Sequence, residues 1–459
     1  MNISRSGSTL KIPSAYNSRT KPAIDSQLTV WPNMSKEPKP FVGCFTLVRQ
    51  TRQRDLYVPL NCNVLDSFLQ PKELLVARIP QPVTSGAQEI PDAAISLRDH
   101  QTDAFAIIMS SLETKGSAVA SLRVGFGKTI LALCAVGALK AKTLILVHKL
   151  ALLEQWRTAC EKVLPTCNVG ILQGTHSPTE KNTVVIGMIQ TVLSRMKQDP
   201  DLLSHYDFLI LDEVHHCCAK TFSKVLLYHR ARYVLALSAT LDRPDGLGFV
   251  LNLFLGEACI NNTELVIKPV IHILKLPDYS VEMHTVYSKK EKRDIINFAK
   301  LVTDIASNKT RHMDIASVIA HLCIPKRKIL VLSKRRDECK QLQLVLDKTF
   351  SCDTTLLLGG AANPNLDAQV ILATTGSAGE GFDCPSLNCL VLLSSQKDVK
   401  QEIGRILRKA PAEGEPAPMV IDIIDSHGVF QRHKASRCEY YKRQNLHIST
   451  FTLETIKTL

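Results

Sequence analysis

Ala118-Val119-Ala120-Ser121-Leu122-Arg123-Val124-Gly125-Phe126-Gly127-Lys128-Thr129 passes from small and apolar residues, through two glycines, into a lysine and a threonine that open a helical pattern at 129–139. An almost unbroken apolar run of this length predicts a strand buried on both faces. A strand that turns directly into a helix is the unit of a parallel α/β sheet. Outward from it, apolar runs at 143–147, 183–187, 208–211 and 233–237 have the same texture, and an amphipathic segment at 150–163 separates two of them. The alternation stops near Asn262 and a second series follows, with strands expected at 328–332, 354–358, 369–373, 388–393 and 419–424. Helical stretches are expected there at 335–348, 397–407 and 429–443. The expected fold class is α/β: two tandem domains, each a parallel sheet with helices on both faces, at 95–262 and 263–459. Residues 1–94 are expected to form a flexible arm and a small accessory region with short apolar segments at 44–48 and 56–60.

The chain has 459 residues, of which 45% are hydrophobic, enough for two or three ordinary domains. Its net charge of +13 and pI near 9.1 favour a polyanionic partner. The surplus is local: residues 285–350 hold 15 Lys/Arg against 7 Asp/Glu, which reads either as a solvated face or as a binding surface. Fourteen cysteines lack any repeating spacing, and with no apolar leader at the start they read as reduced, intracellular thiols. His215-His216-Cys217-Cys218 are too close together to converge on one ion and have no second ligand pair at finger spacing, so no structural zinc is expected. No apolar run reaches the roughly 20 residues that span a bilayer, so no membrane partner is expected.

The chemistry concentrates where the strands end. Backbone N–H groups of Gly125, Phe126 and Gly127, at the start of a helix, suit phosphate oxygens. Lys128 would neutralise β/γ-phosphate charge, and the Thr129 hydroxyl would bind Mg²⁺. The full phosphate-loop pattern wants glycine at 122, where the chain has Leu122. The run at 206–211 ends in Asp212-Glu213-Val214-His215, two carboxylates at the position where open α/β sheets bind ligands. Asp212 would hold Mg²⁺, and Glu213 would orient the attacking water. Gln401, Arg405 and Arg408 are spaced by four and three, which predicts one helix face carrying an amide and two guanidiniums toward phosphate.

In order and spacing, residues 95–444 resemble the superfamily 2 helicases, which are built on two RecA-like domains. Leu97-Arg98-Asp99-His100-Gln101 resembles the segment that reads adenine, with Gln101 in the contacting place. Residues 124–129 resemble motif I, 144–156 with Gln155-Trp156 motif Ia, and Ile189-Gln190-Thr191 motif Ib. Asp212 to His215 is similar to the DEAH-type motif II, and Ser238-Ala239-Thr240 to motif III. Residues 330–335 resemble motif IV. Ala373-Thr374 and Gly379-Glu380-Gly381-Phe382-Asp383 resemble motif V, and 401–408 motif VI. Within the superfamily the resemblance is nearest to the XPB-type branch and the helicases of large cytoplasmic DNA viruses, of the poxvirus transcript-release kind. Arg243-Pro244-Asp245 and the tail at 420–425 with Phe430, Arg437 and Tyr441 add to it. Pro244 and Leu407 depart from the pattern.

The resemblance implies an ATP-dependent DNA helicase or translocase with 3′ to 5′ polarity. ATP and Mg²⁺ are the implied cofactors, and the motor works in transcription, repair or recombination. ATP would be gripped by Gln101, Lys128 and Thr129 on one side and by Arg405 and Arg408 on the other, with Asp383 in the nucleotide set. His215, Ser238 and Thr240 would couple nucleotide state to movement. Lys149, Thr191, Ser333, Lys334 and Thr374, in loops after strands, are the candidates for nucleic-acid phosphates. RNA is the alternative polymer. Transcription or repair proteins are conceivable partners, and an intracellular location, in host cytoplasm, virion or nucleus, is expected.

Overall fold

The structure is a computed structural model that describes residues 90–199, 201–214, 223–239, 248–279, 281–288, 293–359, 364–379, 382 and 384–456, together with six short strands within the first 89 residues. The chain divides into two compact units, Met1–Thr263 and Glu264–Leu459.

In the first unit, strands β1 (Ser117–Leu122), β2 (Thr143–Val147), β3 (Val169–Leu172), β4 (Val184–Met188), β5 (Phe208–Leu211), β6 (Tyr233–Ser238) and β7 (Ile260–Asn262) form one sheet in the order β7-β1-β6-β5-β2-β4-β3. Every pairing is parallel. β1, β2, β5 and β6 are buried along their whole length, the cost of a parallel sheet covered on both sides. Two apolar clusters line the two faces, and alternate residues of one strand enter each: Leu209 and Leu211 join one, Phe208 and Ile210 the other. Helices α1 (Asp99–Lys115), α2 (Lys128–Leu139) and α3 (Leu150–Val163) contribute to the second cluster.

The second unit repeats the plan. Strands β8 (Val270–Lys275), β9 (Ile329–Ser333), β10 (Thr354–Leu357), β11 (Val370–Thr374), β12 (Cys389–Leu392), β13 (Met419–Ile424) and β14 (Ile448–Phe451) run in the order β10-β11-β9-β12-β13-β8-β14, all parallel. Helices α4 (Lys309–Leu322), α5 (Arg336–Phe350), α6 (Lys400–Gly404) and α7 (Gly428–Arg443) belong to this unit. The two sheets are the two parallel α/β domains that the alternating pattern predicts, and they have the RecA-like form that the resemblance implies. Strands β3, β7, β8 and β14 and an antiparallel hairpin, Thr285–Ser288 with Arg293–Ile296, lay outside that prediction. Within the N-terminal residues expected as a flexible arm, Ser4–Ser6 and Thr9–Ile12 pair with each other, and Thr9–Ile12 also pairs with Leu56–Pro59. Strand pairing uses backbone groups, so a polar composition did not forbid it.

A buried ionic cluster ties the second unit together. Arg311 on α4 is 1% exposed. Its Nε and Nη2 donate to the Asp425 carboxylate (2.8 and 3.1 Å), its Nη1 to Glu338 Oε1 (2.5 Å), and Nη2 also to the Leu393 carbonyl (2.8 Å). A second buried arginine, Arg437, donates from Nε to Asp422 Oδ2 at 2.9 Å, and Tyr441 Oη donates to the same oxygen at 2.9 Å. Such groups are tolerated in a core because each charge meets an opposite charge and shaped hydrogen bonds. Arg311→Met should therefore strand two buried carboxylates and destabilise the second unit by about 3–5 kcal/mol. Tyr441→Phe should cost about 1 kcal/mol. Urea unfolding of the two variants checks the ranking.

Candidate functional site

β1 delivers the chain to its carboxyl edge at Leu122, and a loop then turns into α2 at Lys128. The loop needs its glycines. Gly125 has φ +79° and Gly127 φ +92°, conformations that L side chains rarely adopt. Gly127 is the residue before α2, and a Cβ there would lie 2.2 Å from Gln101 Nε2. Phe126 between the glycines is fully buried, edge-on to His100 (5.1 Å between ring centroids), with the Arg123 guanidinium 4.9 Å over its ring. Burial lowers the pKa of Arg123. The phenyl ring anchors the loop from below while its backbone stays at the sheet edge.

Leu122 stands where a full phosphate loop has glycine, and the structure shows why a side chain is accepted there. Leu122 is buried in the core, and only its carbonyl takes part in the site, accepting from Lys128 Nζ at 3.2 Å. Thr129 follows in the first turn of α2. Gln101, on the first turn of α1, is 4% exposed. Its Nε2 donates to the Phe126 carbonyl at 2.8 Å, and its Oε1 accepts from the Arg98 N–H at 3.0 Å. The residue expected to read adenine is thus bonded to the phosphate loop itself, which links α1 to the loop's shape.

β5 ends at Leu211, beside β6 and β2, and places Asp212 and Glu213 on the same edge. Asp212 is partly exposed. Its Oδ2 accepts from Trp156 Nε1 at 2.8 Å and its Oδ1 from the Glu213 N–H at 3.0 Å. Glu213 has φ +47°, unusual for a residue with a side chain and costing roughly 1–3 kcal/mol. Strain of that kind persists only where surrounding contacts hold it. Here they include the bond to Asp212 and a 3.4 Å contact from Ser238 Oγ, at the end of β6, to Glu213 Oε2. Since β6 lies between β1 and β5 in the sheet, Ser238 stands between the phosphate loop and the carboxylates. Sequence reasoning named Trp156 without seeing its bond to Asp212. Its sequence signals are its place in the segment resembling motif Ia and its rarity, as one of two tryptophans in the chain.

Thr129 and Asp212 are hard oxygen donors on one strand edge, which suits Mg²⁺. Among the described residues no group of three His, Cys, Asp or Glu gathers to hold a metal.

In the second unit Arg405 Nη1 donates to the Phe382 carbonyl at 2.5 Å, and Arg408 Nη2 reaches the same oxygen at 3.4 Å. The helix expected at 397–407 is shorter: α6 ends at Gly404, and Arg405 caps it. Beyond it the N–H groups of Arg405, Ile406 and Leu407 bond three residues back, to Glu402, Ile403 and Gly404. At three residues per turn, 405 and 408 align, whereas Gln401 no longer shares a helix face with Arg408. Gln401 lies on α6, partly exposed. Burial raises the pKa of Glu402 beside it.

The nucleic-acid candidates separate. Lys149 caps the start of α3 after β2, half-buried. Thr191 Oγ1, after β4, accepts from the Gly174 N–H at 3.1 Å. Thr374, ending β11, is bonded to Ser377 Oγ at 2.6 Å. Lys334 is exposed over much of its length, but its Nζ donates to the Ser395 carbonyl at 3.2 Å, and partial desolvation of that ammonium group lowers its pKa. Ser333 is turned inward: it is fully buried, and its hydroxyl donates to Glu338 Oε2 and accepts from the Arg335 N–H. Its side chain is not on a surface a strand could touch, because β9 is buried to its last residue. His215, Thr240, Asp383, the run 215–218 and the triplet 243–245 lie outside the described residues. Among the described residues no helix is long and apolar enough to cross a membrane.

Residues 94–243 match the family model of the type III restriction enzyme, res subunit. A protein named as an ATP-dependent RNA helicase in Acanthamoeba polyphaga mimivirus is 28% identical over 383 residues, covering 79% of this chain and 71% of its own. One named as a helicase in Invertebrate iridescent virus 6 is 28% identical over 381 residues, 78% of this chain and 83% of its own. Among solved structures, S. cerevisiae Dbp5 bound to RNA and ADP BeF3 superposes with a TM-score of 0.53 at 12% identity, over 77% of this chain and 91% of that one. The ATP-dependent type ISP restriction–modification enzyme LlaBIII bound to DNA gives 0.55 at 14%, over 86% and 34%. At those identities the superpositions speak for the fold.

Gly127→Ala should weaken binding of a fluorescent ATP analogue at least tenfold, because the methyl group displaces Gln101 and the φ of +92° stays strained. Adding Gln101→Ala should remove the collision and leave the strain, giving only partial recovery in the same titration.

Proposed function

We propose that this chain, which carries a superfamily 2 helicase core and is related to helicases of large DNA viruses, is a nucleic-acid-stimulated ATPase that drives movement along DNA with 3′ to 5′ polarity. The observation that carries the reading is the constellation on one sheet edge: Lys128 on the phosphate loop, Asp212 held by two donors, and the strained Glu213 within reach of Ser238.

In this reading the loop N–H groups and Lys128 neutralise triphosphate charge. Lys128 exchanges its bond to the Leu122 carbonyl for phosphate oxygens. Thr129 and Asp212 would hold Mg²⁺, and the ion would supply positive charge that offsets the charge of the phosphate oxygens. Glu213 accepts a proton from the attacking water. Arg405 and Arg408 carry the kind of positive charge that a phosphoryl-transfer transition state needs, worth about 10³–10⁵ in rate for such groups. The Phe382 carbonyl holds both guanidiniums in the meantime. Ser238 reports the state of Glu213 to the next strand. Lys149, Thr191, Lys334 and Thr374 meet nucleic-acid phosphates, contacts that fix position and carry little sequence information.

A second reading replaces DNA with RNA. It is favoured by the mimivirus relative, which is named as an RNA helicase. ATPase stimulation by single-stranded DNA against RNA of equal length separates the two, and strand displacement on 3′-tailed and 5′-tailed duplexes tests polarity.

Glu213→Gln should keep ATP affinity within about threefold while turnover falls by 10² or more, since general-base contributions are about 10²–10⁴. Full turnover in that variant would remove Glu213 from the chemistry. Nucleic-acid affinity should fall steeply with salt, the slope of log K against log[salt] being about −0.7 to −0.9 per phosphate contacted. A flat response in a fluorescence-anisotropy titration would contradict phosphate-directed binding.

A further inference from the structure

Trp156 lies near the middle of α3 and is 1% exposed, packed in the apolar cluster that also holds Phe126, Leu131 and Leu153. A tryptophan in such a place usually needs only an acceptor for its one N–H, and a backbone carbonyl would serve. Here the acceptor is Asp212 Oδ2, at 2.8 Å. A bond from N–H to carboxylate is charge-assisted and stronger than a neutral one. The indole cannot swing, because the core grips its ring, and the Glu213 N–H holds the other oxygen at 3.0 Å. Two fixed donors on two oxygens set the plane of the carboxylate. Outer partners of metal-binding groups act in this way, and losing one typically costs 10–100-fold in metal affinity or activity.

We infer that Trp156 is a positioning residue that presents the Asp212 carboxylate to a divalent cation carried by the nucleotide. The inference rests on the nucleotide-hydrolysis reading of this site and adds a residue to it. It also gives α3 two tasks along its length. The helix starts after Lys149, a nucleic-acid candidate, and seven residues later, about 10 Å along its axis, carries the support of the carboxylate.

The test is Trp156→Phe, which keeps most of the buried ring and removes the donor. At saturating ATP, half-saturation by Mg²⁺ should rise about tenfold or more, while the KM for ATP at saturating Mg²⁺ should stay within about twofold. Mn²⁺ binding to the ADP-loaded protein, followed by electron paramagnetic resonance, should weaken in parallel. A folded variant with unchanged cation dependence in both assays would overturn the inference. Should the variant fail to fold, the Trp31→Phe protein decides, because Trp156 is then its sole tryptophan. Its emission should change on adding Mg²⁺ with ADP and not on adding ADP with a chelator, and emission indifferent to Mg²⁺ would overturn the inference. Absence of any ATPase in the wild-type protein would instead overturn the hydrolysis reading, and the assignment of Trp156 with it.

Discussion

The turn from β1 into α2 depends on backbone torsions that only glycine adopts at little cost. Gly125 and Gly127 let the chain reverse within five residues, leave the N–H groups of the loop at the sheet edge, and start α2 with Lys128 at its first position. Everything that converges on the loop depends on that turn. The buried ring of Phe126 fastens it to the core, the amide of Gln101 fits against Gly127 where no Cβ intrudes, and the carbonyl of Leu122 receives the lysine.

Around it the parallel sheet does the assembling. Parallel strands end together, so residues far apart in sequence arrive on one edge without any of them being loop neighbours. Asp212 and Glu213 come from β5, Ser238 from β6 and the phosphate loop from β1, and the strand order puts β6 in the middle. The strained Glu213 is the clearest sign that this edge is shaped for chemistry rather than for stability. The stability device lies elsewhere, in the buried Arg311, Glu338 and Asp425 of the second unit.

The second unit divides its basic residues between surface and core. Between residues 285 and 350 most of the described lysines and arginines are exposed, while Arg311 is among the most buried of the described side chains and Ser333 is turned inward. Arg437 and Tyr441, part of the tail pattern, are likewise core residues bonded to Asp422. Arg405 and Arg408 share the Phe382 carbonyl because the chain tightens after Gly404, not because a long helix aligns them.

The alternation of short apolar runs with longer amphipathic segments determined that the chain folds as two parallel α/β sheets, because a strand buried on both faces leaves an apolar run too short for a buried helix. The places of Lys128, Asp212 and Glu213 just beyond a buried strand were legible for a similar reason, since the apolar run marks where the strand ends. Short edge strands such as β7 and β14 were not legible, since three or four partly exposed residues carry little pattern. Hydrogen bonds between distant residues were not legible either. The bond from Trp156 to Asp212, the grip of Gln101 on Phe126 and the inward turn of Ser333 depend on which side chains the packed core brings within about 3 Å. One-dimensional spacing does not encode that distance; the close-packed interior of the tertiary structure does.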